Sequence, residues 1–297
     1  MPTFRFPDGT ATATGAYVVV QVQDDRGELI PGNLLADYRF AANTEGFATD
    51  WGAVSICYRE AENVVYAAGG NGEIARISDA ENAAELIASS GDGPALHGPI
   101  REIRAIGNDL FAVGMGRQVY RRIENRRWAH VDAGVLDTSD RVDSGLVSIA
   151  GDGKGFLVAV GYGGEIWECD VAWRQVDTPT NLLLTRVAAH AGRYYAAGLL
   201  GTLLCRMPEG WRIVDTTGFE HDVWDIESFR GTLYLGTAAG LFRMTPEEEV
   251  APVDPATFTH QVRCTSLSAG RDRLWCFGGD IVSSTSDGVV WREETIL

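Results

Sequence analysis

The chain has 297 residues, of which 35 are glycine, and its 41 acidic against 25 basic residues give a formal net charge of −16. A glycine content above the usual ~7% favours many tight turns and therefore many short strands. The acidic balance argues against nucleic acid as a partner, because phosphate contacts need a basic surface, and it suits a basic protein partner.

The beginning of the chain and its cysteines indicate the compartment. The first residues, MPTFRFPDGT, have neither the basic start nor the apolar run of a signal peptide, and no stretch approaches the ~18 apolar residues of a membrane span. We therefore expect a cytoplasmic protein without membrane contact. The five cysteines include no Cys-x-x-Cys pair, which argues against a zinc site or a disulfide framework. We expect Cys264 and Cys276, which could face each other across a hairpin, to be a reduced pair.

Two sequence markers recur in phase along the chain. The first is an aromatic or β-branched residue, two small or apolar residues and a glycine, found as YAAG at 66–69, FAVG at 111–114, VAVG at 158–161, YAAG at 195–198 and WCFG at 275–278, with YLGT at 234–237 as a variant. The second follows the middle copies as WAHVD at 128–132, WRQVD at 173–177 and WRIVD at 211–215. Two markers in phase indicate a repeated structural unit.

Each unit has the pattern of several short strands. EIRAIG, DLFAVG, RQVYRRI and RWAHVD follow one another between residues 102 and 132. Four strands in about 40 residues predict a β-propeller blade. Residues 51–296 hold six units, and residues 1–50, with AYVVVQVQ at 16–23, hold a degenerate first blade or an N-terminal extension. We predict one all-β propeller domain over 1–297, built from four-stranded antiparallel blades, with seven blades preferred and six as the alternative.

One unit carries a resemblance to known repeats. LVAVGYGGEIWECDVAWRQV at 157–176 resembles bacterial propeller repeats of the superfamily that groups WD40-like, YVTN and BNR repeats. In SSTSDGVVW at 283–291, Ser284, Gly288 and Trp291 have the spacing of a BNR Asp-box, while Ser286 stands where the aspartate belongs. The resemblance implies propeller blades and leaves the chemistry open.

Polar residues precede the innermost strand of successive units, where connections between blades surround the mouth of the channel. FEHDVWDIES at 219–228 is the densest group of residue types that anchor protein interfaces. Three histidines at equivalent positions could also hold a metal or act as acid and base with nearby aspartates. The predicted binding residues are Phe219, His221, Asp222, Trp224, His97, Asp143 and His260. We assign no catalytic residue, no metal ligand and no cofactor; calcium or zinc is possible but not indicated.

Two functions remain open at this point. The repeat and the lack of a recognisable catalytic constellation predict a non-enzymatic bacterial binding module that presents an acidic loop face to a protein partner. One version is an inhibitor or immunity protein for a basic toxin, because a net charge of −16 accelerates capture of a cationic partner. The alternative is a hydrolase on the same scaffold, a metal-dependent lactonase or a glycosidase with its site at the channel mouth.

Overall fold

Seven four-stranded antiparallel sheets surround a central channel as the blades of a β-propeller. The computed structural model describes residues 3–38, 46–87, 92–137, 139, 143–254 and 263–296. The strand order in each sheet follows the chain, and the first strand of each blade contacts the first strands of its neighbours around the channel. The prediction of an all-β propeller with seven blades is therefore confirmed.

The strands of the seven blades have the following bounds. Blade 1 contains β1 (Thr3–Ala11), β2 (Ala16–Gln23), β3 (Asn33–Tyr38) and β4 (Gly46–Thr49), and blade 2 contains β5 (Ala53–Arg59), β6 (Val64–Gly69), β7 (Glu73–Ile77) and β8 (Ala83–Leu86). Blade 3 contains β9 (Ile100–Ile106), β10 (Asp109–Gly114), β11 (Val119–Glu124) and β12 (Arg127–His130), and blade 4 contains β13 (Leu146–Gly151), β14 (Leu157–Gly161), β15 (Ile166–Cys169) and β16 (Trp173–Val176). Blade 5 contains β17 (Leu184–His190), β18 (Arg193–Gly198), β19 (Leu203–Met207) and β20 (Gly210–Ile213), and blade 6 contains β21 (Val223–Phe229), β22 (Thr232–Thr237), β23 (Gly240–Met244) and β24 (Val250–Pro252). Blade 7 contains β25 (Ser266–Ala269), β26 (Leu274–Phe277), β27 (Val282–Thr285) and β28 (Trp291–Glu294).

In the part of the chain that the structure describes, helical structure is limited to single turns. They are the α-helix α1 (Pro94–His97) and the 3-10 turns Glu60–Glu62, Tyr162–Gly164 and Leu199–Gly201. Among the described residues, no helix has the length and apolar character that crossing a membrane requires.

The hydrophobic core is divided among the interfaces between blades. Seven clusters of buried side chains lie one at each interface, including the interface of blade 7 with blade 1. Between blades 4 and 5, for example, Val158 and Ile166 pack against Leu184, Val187 and Leu204. Each such side chain stabilises the fold by about 1.5–3 kcal/mol when it leaves water. A blade therefore gains most of its stability from its neighbours.

The repeated glycine at the end of the second strand is required by a close backbone contact. Gly161 is extended, with φ −174°. A Cβ atom at this position would lie 2.0 Å from the carbonyl oxygen of Gly145, which enters the first strand of the same blade. The equivalent Gly198 would bring a Cβ to 2.1 Å from the oxygen of Leu183. The marker glycine thus allows the second strand to pass the chain that enters the blade.

We expect Gly161→Ala to lower the free energy of unfolding by roughly 3 kcal/mol, because the added methyl group must displace backbone that cannot yield locally. Gly52→Ala is the matched control, since a Cβ at Gly52 has nothing closer than the Asn33 Oδ1 atom at 4.0 Å. Urea unfolding of both variants measures the difference. Equal losses in the two variants would contradict the close-contact explanation.

The tryptophans of the second marker bridge neighbouring blades. Trp211 of blade 5 donates its indole N–H to the Glu168 Oε1 atom of blade 4 at 3.1 Å, and Arg206 donates to both oxygens of the same carboxylate at 2.7 and 3.2 Å. The same arrangement joins blades 2 and 3 through Trp128, Arg122 and Glu85. Bidentate arginine–carboxylate pairs are among the stronger hydrogen bonds in proteins, so these contacts fix adjacent blades against each other.

The ring closes between blade 1 and blade 7 without a shared sheet. The Phe6 N–H donates to the Gly279 oxygen at 2.7 Å, and the Gly278 N–H donates to the Phe6 oxygen at 2.9 Å. The Tyr38 hydroxyl donates to the Glu294 Oε2 atom at 2.7 Å. The ring is therefore closed by the isolated β-bridge between Phe6 and Gly279 and by side-chain contacts. Every blade is one continuous segment of the chain.

The cysteines of blade 7 differ from the expectation. Cys264, just before β25, and Cys276, in β26, have Cα atoms 5.5 Å apart and form a disulfide, where the sequence favoured a reduced pair. The antiparallel pairing of β25 with β26 brings the two residues to a separation at which the bond can form. Cys57, Cys169 and Cys205 are free thiols.

Candidate functional site

The innermost strands of blades 2 to 6 have a β-bulge at their second residue. In β21, Val223 pairs with Thr237 and Asp225 pairs with Gly236, so Trp224 between them has no partner in the ladder. The same register shift occurs in β5, β9, β13 and β17. A bulge redirects the extra side chain away from the sheet. The bulged residues at the channel mouth are Val54, Arg101, Val147, Thr185 and Trp224.

One face of the propeller carries this mouth together with the described parts of the connections between blades. We call it the connection face; it also holds the turns between the second and third strands of each blade. Trp224 is 42% exposed, and Leu200, in the neighbouring 3-10 turn of blade 5, is 64% exposed. The Asp222 Oδ1 atom accepts a hydrogen bond from the Leu200 N–H at 2.9 Å, which holds this turn beside the tryptophan. Exposed aromatic and aliphatic side chains in fixed positions are typical anchors of protein interfaces.

The four residues predicted as a hot spot in 219–224 have different surroundings. Phe219 is buried in the core between blades 5 and 6, and its ring centroid lies 4.8 Å from that of Phe242. His221 is exposed and packs its ring 5.5 Å from Phe219, while its backbone oxygen accepts from Gly201 N–H at 2.9 Å. Asp222 bonds to the neighbouring turn, and Trp224 faces solvent. Phe219 therefore belongs to the core on which the exposed His221 packs.

The other predicted residues lie in different connections between blades. His97 contacts Asp92 and His130, with a His97 Nε2 to Asp92 Oδ1 distance of 2.7 Å. Asp143 is exposed in the connection between blades 3 and 4. His260 lies outside the described residues. The sequence did not single out His130, although it stands inside the WAHVD marker, because the repeat directs attention to equivalent positions and these lie on different blades.

A ring of polar side chains lies one layer deeper in the channel. Each occupies the third residue of an innermost strand, directly after the bulge. The Glu102 Oε2 atom accepts from the Ile149 N–H at 2.6 Å, and the Asp225 Oδ2 atom accepts from the Leu267 N–H at 2.8 Å, so each side chain bonds to the next blade. The residues at this position are Ser55, Glu102, Ser148, Arg186 and Asp225. The ring links the innermost strands around the channel.

Charges of both signs face each other in this layer. Arg186 pairs with Asp225 at 2.6 Å between its Nε and the Oδ1 atom, and it also contacts Glu102. Arg104 donates to Glu102 at 3.2 Å. The channel beside them encloses about 590 Å³ and extends to the turns between first and second strands. Burial raises the pKa values of Asp225 and Glu227, although the nearby arginines oppose this effect.

Asp8 also lines this channel, and burial raises its pKa to about 6. Because this value lies above the ordinary one near 3.9, the folded protein binds the proton more tightly than the unfolded chain. The contribution of Asp8 to stability is therefore largest below about pH 4 and is lost as the pH rises through 6. Its Oδ1 atom accepts from Ser266 Oγ at 2.5 Å and from Gly9 N–H at 2.8 Å.

We expect Asp8→Asn to raise the free energy of unfolding at pH 7.5 by on the order of 2 kcal/mol and to leave it nearly unchanged at pH 4. An amide oxygen can accept both hydrogen bonds without the charge. Asp170→Asn, in an exposed turn, is the control. Urea unfolding at the two pH values checks the result, and a gain at pH 7.5 that persists at pH 4 would show that burial of the charge is not its cause.

Comparison with known proteins identifies the class. The chain has the fold of a seven-bladed β-propeller. It resembles the WD40 propeller domain of Doa1, at 10% identity and a TM-score of 0.63 over 94% of this chain and 93% of that one. It also resembles YCF48 bound to a D1 peptide, at 13% identity and a TM-score of 0.60 over 82% of each chain. These similarities establish the fold. No protein-family model matches the chain.

The sequence also has a curated relative. It is 31% identical to the immune protein Tsi7 of Pseudomonas aeruginosa over 226 residues. This match covers 75% of this chain and 73% of Tsi7. The chain belongs to the family of Tsi7.

Proposed function

We propose that this protein is an immunity protein that binds and neutralises a protein toxin through its connection face. The sequence similarity to the immune protein Tsi7 is the main observation that supports this proposal. Propeller folds serve many unrelated functions, so the fold by itself would not distinguish immunity from catalysis.

The apolar residues of the connection face support binding of a protein. Leu96 is 69% exposed in α1, and Val54 is 42% exposed at the bulge of blade 2. Together with Leu200 and Trp224 they give the face anchors on several blades. Interface cores are typically enriched in aromatic side chains and depleted of charge, with a polar rim around them. Trp224 at the channel mouth suits the centre of such an interface.

The charge of the connections favours a basic partner. Among the described residues, the connections between blades contain one arginine, Arg263, and no lysine. Apart from the buried Asp132, their acidic residues are Asp50, Asp92, Asp137, Asp143, Asp177, Asp215, Glu220, Asp222 and Asp254. An acidic face accelerates the encounter with a cationic partner and rejects acidic ones. We therefore propose a toxin whose binding surface is basic.

Two successive experiments test the proposal: capture of the partner protein and then neutralisation of its toxicity. The tagged chain is used to capture partners from a lysate of its native cells, with elution by salt and identification by mass spectrometry. The captured protein is then produced in a bacterial host alone and together with this chain. We expect it to stop growth alone and to form a stable complex that restores growth when the chain is present. A captured protein that does not impair growth, or whose toxicity the chain leaves unchanged, would overturn the proposal.

A further inference from the structure

The connection between blades 2 and 3 brings together three side chains that can ligate a metal. Asp92 and His97 belong to the connection, and His130 is the last residue of β12 in blade 3. One ligand atom from each, the Asp92 carboxylate and a ring nitrogen of each histidine, lies within 4.8 Å of the other two. Imidazole nitrogen and carboxylate oxygen are the ligands that zinc combines in proteins.

The tautomer of His130 is determined by a buried carboxylate. The His130 Nδ1 atom lies 2.9 Å from the Asp132 Oδ2 atom, and Asp132 is buried and also accepts from the Val119 N–H at 2.9 Å. The Nδ1 atom therefore carries the proton in the neutral ring, and Nε2 carries the lone pair. A carboxylate behind a histidine in this way is the usual support of a zinc-binding imidazole. Tyr120, with its ring centroid 4.4 Å from that of His130, holds the ring in place.

The lone pair of His130 faces other acceptors. Its Nε2 atom lies 3.2 Å from the Asp92 backbone oxygen and 3.6 Å from the Asp92 Oδ1 atom. The His97 Nε2 atom approaches the same Oδ1 atom to 2.7 Å. Converging lone pairs repel one another unless a proton or a metal ion lies between them, and either can occupy this position. In a tetrahedral zinc shell with bonds of about 2.0–2.1 Å, two ligand atoms lie about 3.3 Å apart. The distances from Asp92 Oδ1 to the Nε2 atoms of His97 and His130, 2.7 and 3.6 Å, lie on either side of this value.

We propose that Asp92, His97 and His130 bind one zinc ion through Asp92 Oδ1 and the two Nε2 atoms, with water in the remaining position. The ion joins the connection of blades 2 and 3 to the outer strand of blade 3. It thereby fixes the segment that presents Leu96 on the connection face. The site is independent of the proposed immunity function, since its ligands and its test involve no partner protein.

Zinc binding by the full chain, purified without a histidine tag and freed of metal with EDTA, tests the site. We expect one zinc ion per chain at pH 7.5 and, in a hundredfold excess of zinc over its dissociation constant, a rise in Tm of about 4 °C. Asp92→Asn and His97→Gln should each weaken the binding measured by calorimetry at least tenfold. Asp170→Asn, an exposed aspartate on the opposite face, should bind zinc as the original chain does.

Nitrogen NMR of the histidine rings assigns the ligands directly. We expect zinc to shift the Nε2 signals of His97 and His130 and to leave the Nδ1–H of His130 in place. The proposal is overturned if the folded, metal-free chain takes up no zinc, since a proton on His130 Nε2 then satisfies the oxygens alone. It is also overturned if both variants bind zinc as tightly as the original chain, because the zinc is then held elsewhere.

Discussion

Arg186→Met is expected to reduce the free energy of unfolding by about 3–5 kcal/mol at neutral pH. The guanidinium lies between Glu102 and Asp225 in the channel, and both carboxylates are buried. A methionine of similar length removes the charge that pairs them, and Arg104, which forms an ion pair with Glu102, attracts Asp225 at longer range. Two buried carboxylates would then lack an adequate counter-charge. Urea unfolding followed by tryptophan fluorescence measures the loss.

A second arginine gives the control for this variant. Arg174 also pairs with a carboxylate, Glu168, at 2.7 Å, but its side chain is 65% exposed. Arg174→Met should therefore cost less than about 1 kcal/mol. Lowering the pH toward 5 should reduce the loss of stability in Arg186→Met, because burial raises the pKa of Asp225 and this carboxylate, once unpaired, takes up a proton. If both substitutions lower the free energy of unfolding equally, the ion pairs of the channel stabilise the protein no more than an exposed pair does.

Trp224→Ala is expected to weaken binding of the captured toxin by at least 30-fold, which corresponds to about 2 kcal/mol. Trp224 is exposed and stands outside the strand ladder, so its removal should leave the fold intact. Calorimetry at one fixed salt concentration, with circular dichroism to verify folding, gives the result.

The opposite face supplies the control for the tryptophan. Val171, in the turn between β15 and β16, is 95% exposed there, and Val171→Ala should leave the dissociation constant unchanged. Leu200→Ala, beside Trp224, should have a smaller effect than Trp224→Ala. A Trp224→Ala chain that binds as tightly as the original would place the interface elsewhere, even if the immunity function itself is correct.

The periodic features of the fold could be predicted from the sequence because each depends on local contacts that recur. The glycine at 161 marks a strand that passes close to the chain entering its own blade, and Gly114 and Gly198 repeat this geometry in blades 3 and 5. Trp211 and its equivalents mark the outer strand for the same reason. The six units of residues 51–296 and their strands follow from such markers, whereas the first blade lacks the glycine and rests on the length of the chain and on AYVVVQVQ at 16–23.

The site depends on contacts that the repeat does not encode. His97 and His221 are equivalent in the sequence but lie on different blades, whereas the neighbour of His97 is His130, at another position of the repeat. Alternation in EIRAI places Glu102 and Arg104 on one side of β9, yet nothing in this segment indicates that Arg186 meets Glu102 across the channel. Such pairs depend on the curvature of the ring. One unaligned sequence does not contain that information.

The uninterrupted path of the chain through each blade affects how such a ring can evolve. Since each of the seven described sheets consists of consecutive strands, duplication or deletion of one repeat adds or removes a complete sheet and leaves the others unbroken. Only the side chains between the two blades that become new neighbours must then pack against each other. New diameters of the ring, and with them new spacings of the exposed residues around its mouth, are thus accessible by single genetic steps.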